Sequence, residues 1–293
     1  MTRRLRLAIQ KKGRLAKESI ELLNRCGLKF RLRENALLCH VDNFPIDLLL
    51  IRDDDIPALL FDGLCDGGIV GENVLLEAAL ANPGKNYVIL QPLGSCRCRL
   101  SIAVPESFDY RGPGCLDGKR IATSYPLLLK KYLNENKLSA ECLSLSGSVE
   151  VAPRMGMADA ICDLVSSGQT LEENKLIEVE TLLNSQALFI QSSYTIPEEL
   201  QNLLIMLKRR IEAVQQAQER KYILFHAPTE ALSSIYEYLP GAESPTIIPL
   251  PANPGKVAVH VVSSEGVFWN TLESIKAMGA SSILVLPIEK MLE

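Results

Sequence analysis

Short apolar runs rich in Leu, Ile and Val alternate with amphipathic helical patterns along most of this 293-residue chain, and that alternation restricts its fold more than any other feature. After an opening LRLAIQ, strand patterns stand at 46–51 (IDLLLI), 68–70 (GIV), 87–90 (YVIL), 100–104 (LSIAV), 119–123 (KRIAT), 158–165 (ADAICDLV) and 186–191 (QALFIQ). Helical patterns separate most of them. The first, GRLAKESIELLNRCG, carries Leu15, Ile20, Leu22 and Leu23 at helical spacing and stops at Gly27. A helix between two strands is the connection that parallel pairing needs, so the pattern predicts an α/β protein with a mainly parallel sheet.

Residues 196–220 read as one long helix, a hinge or spacer, with Pro197 near its start and Leu200, Leu203, Leu204, Leu207, Ile211 and Val214 three or four apart. A fresh pattern follows: strand KYILFHA, helix PTEALSSIYEYL, strands TIIPL and KVAVHVV, helix VFWNTLESIKAMG, strand SSILVLP. That order, β-α-β-β-α-β, is the ferredoxin-like split unit. With 31 basic against 35 acidic side chains the net charge is −4, which gives no reason to expect nucleic-acid or anionic-membrane binding. The longest apolar runs fall far short of the roughly 18 residues of a spanning helix, and Lys11, Lys12 and Arg14 interrupt the place of a signal-peptide core, so a cytoplasmic protein is expected. The eight cysteines contain no CxxC pair and read as reduced thiols. Cys96 and Cys98 find no second half of a zinc site in the scattered His40, His226 and His260.

The segment from Glu150 to Leu171, EVAPRMGMADAICDLVSSGQTL, carries the most chemistry. An apolar run ends in Ser166-Ser167-Gly168-Gln169-Thr170, a strand, turn and helix start that together offer amides and hydroxyls to one oxyanion. Asp159 and Asp163, four apart on an extended strand, share a face, and a carboxylate beside such a cradle suits the hydroxyls of a sugar phosphate. The same residues also fit a plain N-cap and turn with solvated aspartates. Turns of similar grammar occur at Asp66–Glu72, Gly118–Pro126 and Leu145–Ser148, and in open α/β sheets such turns line one cleft. Of the N-terminal cations, Lys11 and Arg14 are the candidates for polyphosphate because the KKGR turn joins the first strand to the first helix; Arg99 precedes the strand at 100. Arg97 has no assigned role.

The Glu150–Leu171 segment resembles the signature of ATP phosphoribosyltransferases, which open histidine biosynthesis. The resemblance extends over the chain through QKKGRL at 10–15, IRDDDIP at 51–57, GENVL at 71–75, CRLS at 98–101, GKRIATSYP at 118–126, KYILFHAPTE at 221–230 and GASSILVLPIEK at 279–290. The C-terminal unit matches the long, self-regulated form of that family. The resemblance implies a catalytic part like a type II periplasmic-binding protein, with lobe I and spacer helix at 1–98 and 186–219, lobe II at 99–185, and a regulatory domain at 220–293. It implies transfer of 5-phosphoribosyl from phosphoribosyl pyrophosphate to N1 of ATP, with magnesium carried on the pyrophosphate and no metal ligand assigned in the protein. Dimers that assemble to hexamers are expected.

On that basis Ser166, Ser167, Gly168, Gln169 and Thr170 are expected to grip the 5′-phosphate, and Asp163, Asp159 and Glu150 to serve the ribose. Lys11, Arg14 and Arg99 neutralise phosphate oxygens, while Glu72 contacts adenine or magnesium. Histidine is expected to inhibit at Thr246, Ala280, Ser281 and Ser282, with Asn253-Pro254-Gly255 nearby. A solute-sensing protein on the same two-lobed frame, or a transferase for another base, are the rival readings.

Overall fold

Leu5, Leu7, Ala8 and Ile9 are all buried in the first strand, β1 (Leu5–Gln10), so β1 takes an interior place in its sheet. The computed structural model describes residues 3–33, 35–239, 245–264 and 268–291, and the chain divides into two compact units, Met1–Lys208 and Arg209–Glu293. Among the described residues no helix is long and apolar enough to cross a membrane.

The first unit contains two sheets. After β1 come α1 (Arg14–Arg25), β2 (Leu38–His40), β3 (Ile46–Ile51), α2 (Ile56–Phe61), β4 (Gly67–Gly71), α3 (Glu72–Ala81) and β5 (Tyr87–Pro92). The chain then builds a second lobe from β6 (Cys98–Pro105), β7 (Arg120–Thr123), α4 (Pro126–Glu135), β8 (Glu141–Ser144), β9 (Ala160–Val165), α5 (Gln169–Glu173) and β10 (Leu176–Ser185). It returns through β11 (Ala187–Ser192) and leaves in α6 (Glu198–Gln218). Strand orders are β2-β3-β1-β4-β11-β5 and β10-β6-β9-β7-β8, so the chain crosses between lobes twice, before β6 and before β11. Two α/β lobes with two crossings make the type II periplasmic-binding-protein-like frame.

Both sheets are mixed, not mainly parallel. β1 runs parallel to β3 and β4, and β7 parallel to β8 and β9, whereas β11 opposes β4 and β5, and β6 opposes β9 and β10. The crossings explain this. A chain entering a lobe from the hinge runs away from the cleft, against strands whose carboxyl ends face it. Gly67 and Gly68 lie inside β4 and do not form a phosphate turn: a Cβ would meet Ile190 O at 2.9 Å or Ala8 O at 2.8 Å. The preceding Asp66, 1% exposed, is occupied by the Arg3 guanidinium (2.5 Å) and the Arg6 amide (2.8 Å).

The second unit takes the end of α6, then β12 (Arg220–Pro228), α7 (Leu232–Glu237), β13 (Thr246–Pro249), β14 (Lys256–Ser264), α8 (Phe268–Ala277) and β15 (Ser281–Pro287). Its sheet, β13-β14-β12-β15, is antiparallel throughout and gives the ferredoxin-like arrangement. Alternate residues Ile223, Phe225 and Ala227 of β12 and Val257, Val259 and Val261 of β14 are buried with Ile235 and Ile275 of the helices. Val267, read as the start of the second helix, lies outside the described residues. The division falls inside α6, earlier than the expected boundary after 219. Ile211, Val214 and Ala217 are buried, and Ala213 O accepts from the Met291 amide (3.1 Å), so the last turns of α6 belong to the C-terminal unit.

Candidate active site

The carboxyl ends of β7 and β9 are neighbours, with Thr123 opposite Cys162, so Tyr125, Asp163 and the Ser166–Thr170 loop emerge along one edge. Gly168 sits at φ +86°, a left-handed conformation that lets the chain turn from β9 into α5 and that any larger side chain would adopt only with strain. Ser166, Ser167, Gln169 and Thr170 are exposed around it. Within the loop Ser167 Oγ accepts from the Gln169 amide (3.4 Å), and the Thr170 hydroxyl finds no partner among the described residues.

Two arginines come to this loop from different elements. Arg14, at the start of α1 on the first lobe, donates from one terminal nitrogen to Ser166 Oγ (3.1 Å) and from Nε to Glu18 (2.9 Å). It thereby bridges the cleft. Arg99, on β6, grips Glu178 of β10 with two nitrogens and reaches Ser166 O (3.3 Å) with the third. The Arg99 guanidinium holds the Glu178 carboxyl below its ordinary range. Three of its five N–H donors are thus engaged, so Arg99 braces the loop and keeps two for an incoming oxyanion. Glu18 was not singled out from the sequence. Its carboxylate also accepts from the Cys96 amide and thiol (both 3.0 Å), fixing the first crossing, where Cys96 adopts φ +51°.

Asp163 is half-buried on β9, and its only hydrogen bond among the described residues is from the Leu164 amide (2.8 Å). Burial, with the charge of Glu150 adding to it, pushes its carboxyl up to about 6. Glu150 is therefore near enough to Asp163 for its charge to be felt there. β9 begins only at Ala160, and Asp159 lies at the far end of the strand, roughly 20 Å from the loop at about 3.3 Å per residue. There its carboxylate accepts from the Arg120 amide (2.8 Å), fastening the start of β7. Asp159 and Asp163 are not brought together, because four residues of extended strand set them about 13 Å apart and Asp159 is engaged by the Arg120 amide.

On the first lobe, Lys11 donates weakly to Asn35 O (3.5 Å) and, with Lys12, lines two adjoining cavities of about 340 and 310 Å³. Arg52 and Asp53 complete one, Arg33 and Asn35 the other, and neither Arg33 nor Arg52 was selected from the sequence. The Glu72 carboxylate, at the start of α3, finds no partner among the described residues. Those residues also contain no group of three His, Cys, Asp or Glu arranged to hold a metal ion.

In the second unit Thr246 stands apart from the other expected histidine contacts, Ala280, Ser281 and Ser282. Thr246 lies on the edge strand β13 and Ser281 on the opposite edge strand β15, about 14 Å apart across three strand spacings. Spacing along the sequence carries no information about which edge a strand takes. Lys256 does reach Ser281 Oγ (3.4 Å), and Thr229 binds Gly255 O, so the Asn253–Gly255 turn and the Gly279–Ser282 turn meet at one end of the sheet. Ala280 is buried there and Ser282 is left-handed at φ +51°.

A loop of hydroxyls and amides beside a carboxylate pair, on one lobe of a two-lobed α/β frame, has the chemistry to hold a phosphorylated, hydroxyl-bearing ligand. Residues 52–213 match the family model described as ATP phosphoribosyltransferase, and residues 217–290 match that described as the HisG C-terminal domain. The ATP phosphoribosyl transferase (HisG:HisZ) complex of Thermotoga maritima contains a chain 30% identical to this one, with TM-score 0.59 over 71% of this chain and 98% of that one. The alkanesulfonate-binding protein SsuA of Xanthomonas axonopodis pv. citri is 20% identical over 72% of this chain and 73% of its own (TM-score 0.45). The BvgS VFT2 domain of Bordetella pertussis is 13% identical over 73% and 88% (TM-score 0.48). The chain belongs to the ATP phosphoribosyltransferase family, pentosyltransferases of histidine biosynthesis that bind ATP.

Proposed function

We propose that this enzyme transfers the 5-phosphoribosyl group of phosphoribosyl pyrophosphate to N1 of the adenine of ATP and releases pyrophosphate. The observation that carries the reading is the meeting of Glu150 and Asp163 with the Ser166–Thr170 loop, which Arg14 and Arg99 brace from two sides. The loop amides and the Ser167 and Thr170 hydroxyls receive the 5′-phosphate. Asp163 and Glu150 accept from ribose hydroxyls. As pyrophosphate departs, positive charge grows on C1 and the ring oxygen, and a carboxylate held short of partners stabilises that charge more than it stabilises the neutral sugar. Adenine N1 is a modest nucleophile, so alignment contributes more than any covalent step.

The Lys11, Lys12, Arg33 and Arg52 cavities offer cations to the ATP triphosphate. Magnesium fits this donor set as an ion brought on pyrophosphate oxygens with one or two carboxylates, the usual manner for a cation that keeps much of its water. When bound it neutralises leaving-group charge. Free histidine is read as an inhibitor acting through the C-terminal unit, at the end where Asn253–Gly255, Lys256 and Ser281 gather, and the working enzyme as a cytoplasmic homo-oligomer. Incubation with ATP, phosphoribosyl pyrophosphate and magnesium should yield pyrophosphate and N1-phosphoribosyl-ATP in equal amounts. Pyrophosphate without the nucleotide product, or neither, would remove the reading.

A further inference from the structure

Asn73, 4% exposed, is the second residue of α3 on the first lobe, and Ser185 ends β10 at the second crossing. The Asn73 amide donates to Ser185 Oγ (3.1 Å), and that hydroxyl donates to Asn73 Oδ1 (2.8 Å). With Oδ1 accepting from Ser185, Nδ2 is left to donate. Nδ2 donates to the phenol oxygen of Tyr125, on the second lobe, at 2.9 Å. The phenol oxygen has thus accepted a hydrogen bond and keeps its own O–H, for which no acceptor stands among the described residues.

Tyr125 lies two residues past β7, whose last residue Thr123 pairs with Cys162 next to Asp163 on β9, and burial, with the charges of Asp163, Asp54 and Asp53 added to it, raises the phenol and keeps it protonated. Those carboxylates disfavour an anionic oxygen at this place. A hydroxyl suits it, because one hydroxyl can accept from a phenol while donating to a carboxylate.

We propose that Tyr125 contacts substrate, its O–H donating to a ribose hydroxyl that in turn donates to Asp163, with Asn73 and Ser185 as positioning residues that aim the phenol. The proposal rests on the phosphoribosyl reading above and deepens it. It makes the sugar contact depend on the hinge, since the aiming hydrogen bonds run from the second crossing through the first lobe to the second.

Tyr125→Phe retains the ring and removes only the O–H. Calorimetric titration of the wild-type chain and this variant with phosphoribosyl pyrophosphate, inorganic pyrophosphate and ATP separates the outcomes. Phosphoribosyl pyrophosphate should bind about 2- to 13-fold more weakly to the variant, as for loss of one neutral hydrogen bond, while pyrophosphate and ATP bind unchanged. Equal phosphoribosyl pyrophosphate affinities, or an equal loss with inorganic pyrophosphate, would overturn the assignment to the ribose. A wild-type chain that fails to bind phosphoribosyl pyrophosphate would overturn the functional reading itself, and with it this proposal. Asn73→Ala should weaken sugar binding in the wild-type background but not further in the Tyr125→Phe background; additive losses would make Asn73 structural only.

Discussion

A carboxyl group pushed up to about 6 by burial and by Glu150 costs the fold stability at neutral pH, and Asp163 is such a group. Its folded pKa lies above the unfolded value of about 3.9, so the native state holds the proton more tightly. Stability should therefore fall as pH rises from about 4 to 6 and then level off. Asp163→Asn removes that cost while an oxygen remains for the Leu164 amide. The variant should gain on the order of 1–3 kcal/mol at pH 7–8 and nothing near pH 3, as read by urea denaturation at several pH values. It should also lose turnover more than substrate binding, and wild-type kcat/KM should rise through pH 6; a variant with normal kcat would leave Asp163 only a binding role. Thr170→Ala tests the loop separately. Loss of a hydrogen bond to phosphate predicts about 10- to 150-fold weaker phosphoribosyl pyrophosphate binding, with ATP affinity unaltered. Asp163, Glu150 and the loop were legible because they fall within one short segment. Tyr125, Asn73 and Ser185 were not, since their bonds join residues 52 and 112 positions apart.

The elements were read well where burial alternates or runs unbroken and poorly where it does neither. β9 and β11 are continuous apolar runs and were found, with β9 two residues too long. β10 was missed: LEENKL reads as helix, yet α5 ends at Glu173, Lys175 turns left-handed at φ +56°, and two register shifts against β6 break the period-2 pattern of the strand. A helix start supplied from the other lobe was equally hidden. Glu77 of α3 accepts from the Leu127 and Leu128 amides (2.7 and 2.8 Å), capping α4 across the two lobes. Glu77→Ala leaves both amides without this partner and should cost about 1–2 kcal/mol, seen as a lower Tm, whereas Glu77→Gln should recover part of it. No change in Tm for Glu77→Ala would show that the lobes do not depend on this contact.

At the scale of the molecule, the two-lobed frame places cations of the first lobe opposite the carboxylates and loop of the second, and Arg14 already spans the gap to Ser166. The ferredoxin-like unit was evident from its order of elements, but its edge assignments separate Thr246 from Ser281. If that unit regulates, millimolar histidine should inhibit the intact enzyme, and Lys256→Ala should raise the concentration required while leaving uninhibited turnover intact. The most direct test of the whole account is a crystal structure with phosphoribosyl pyrophosphate bound. The 5′-phosphate should lie within hydrogen-bond distance of the Ser167–Thr170 amides and hydroxyls, with a ribose hydroxyl on Asp163. A 5′-phosphate seated instead among Lys11, Lys12, Arg33 and Arg52, with the loop empty, would contradict it.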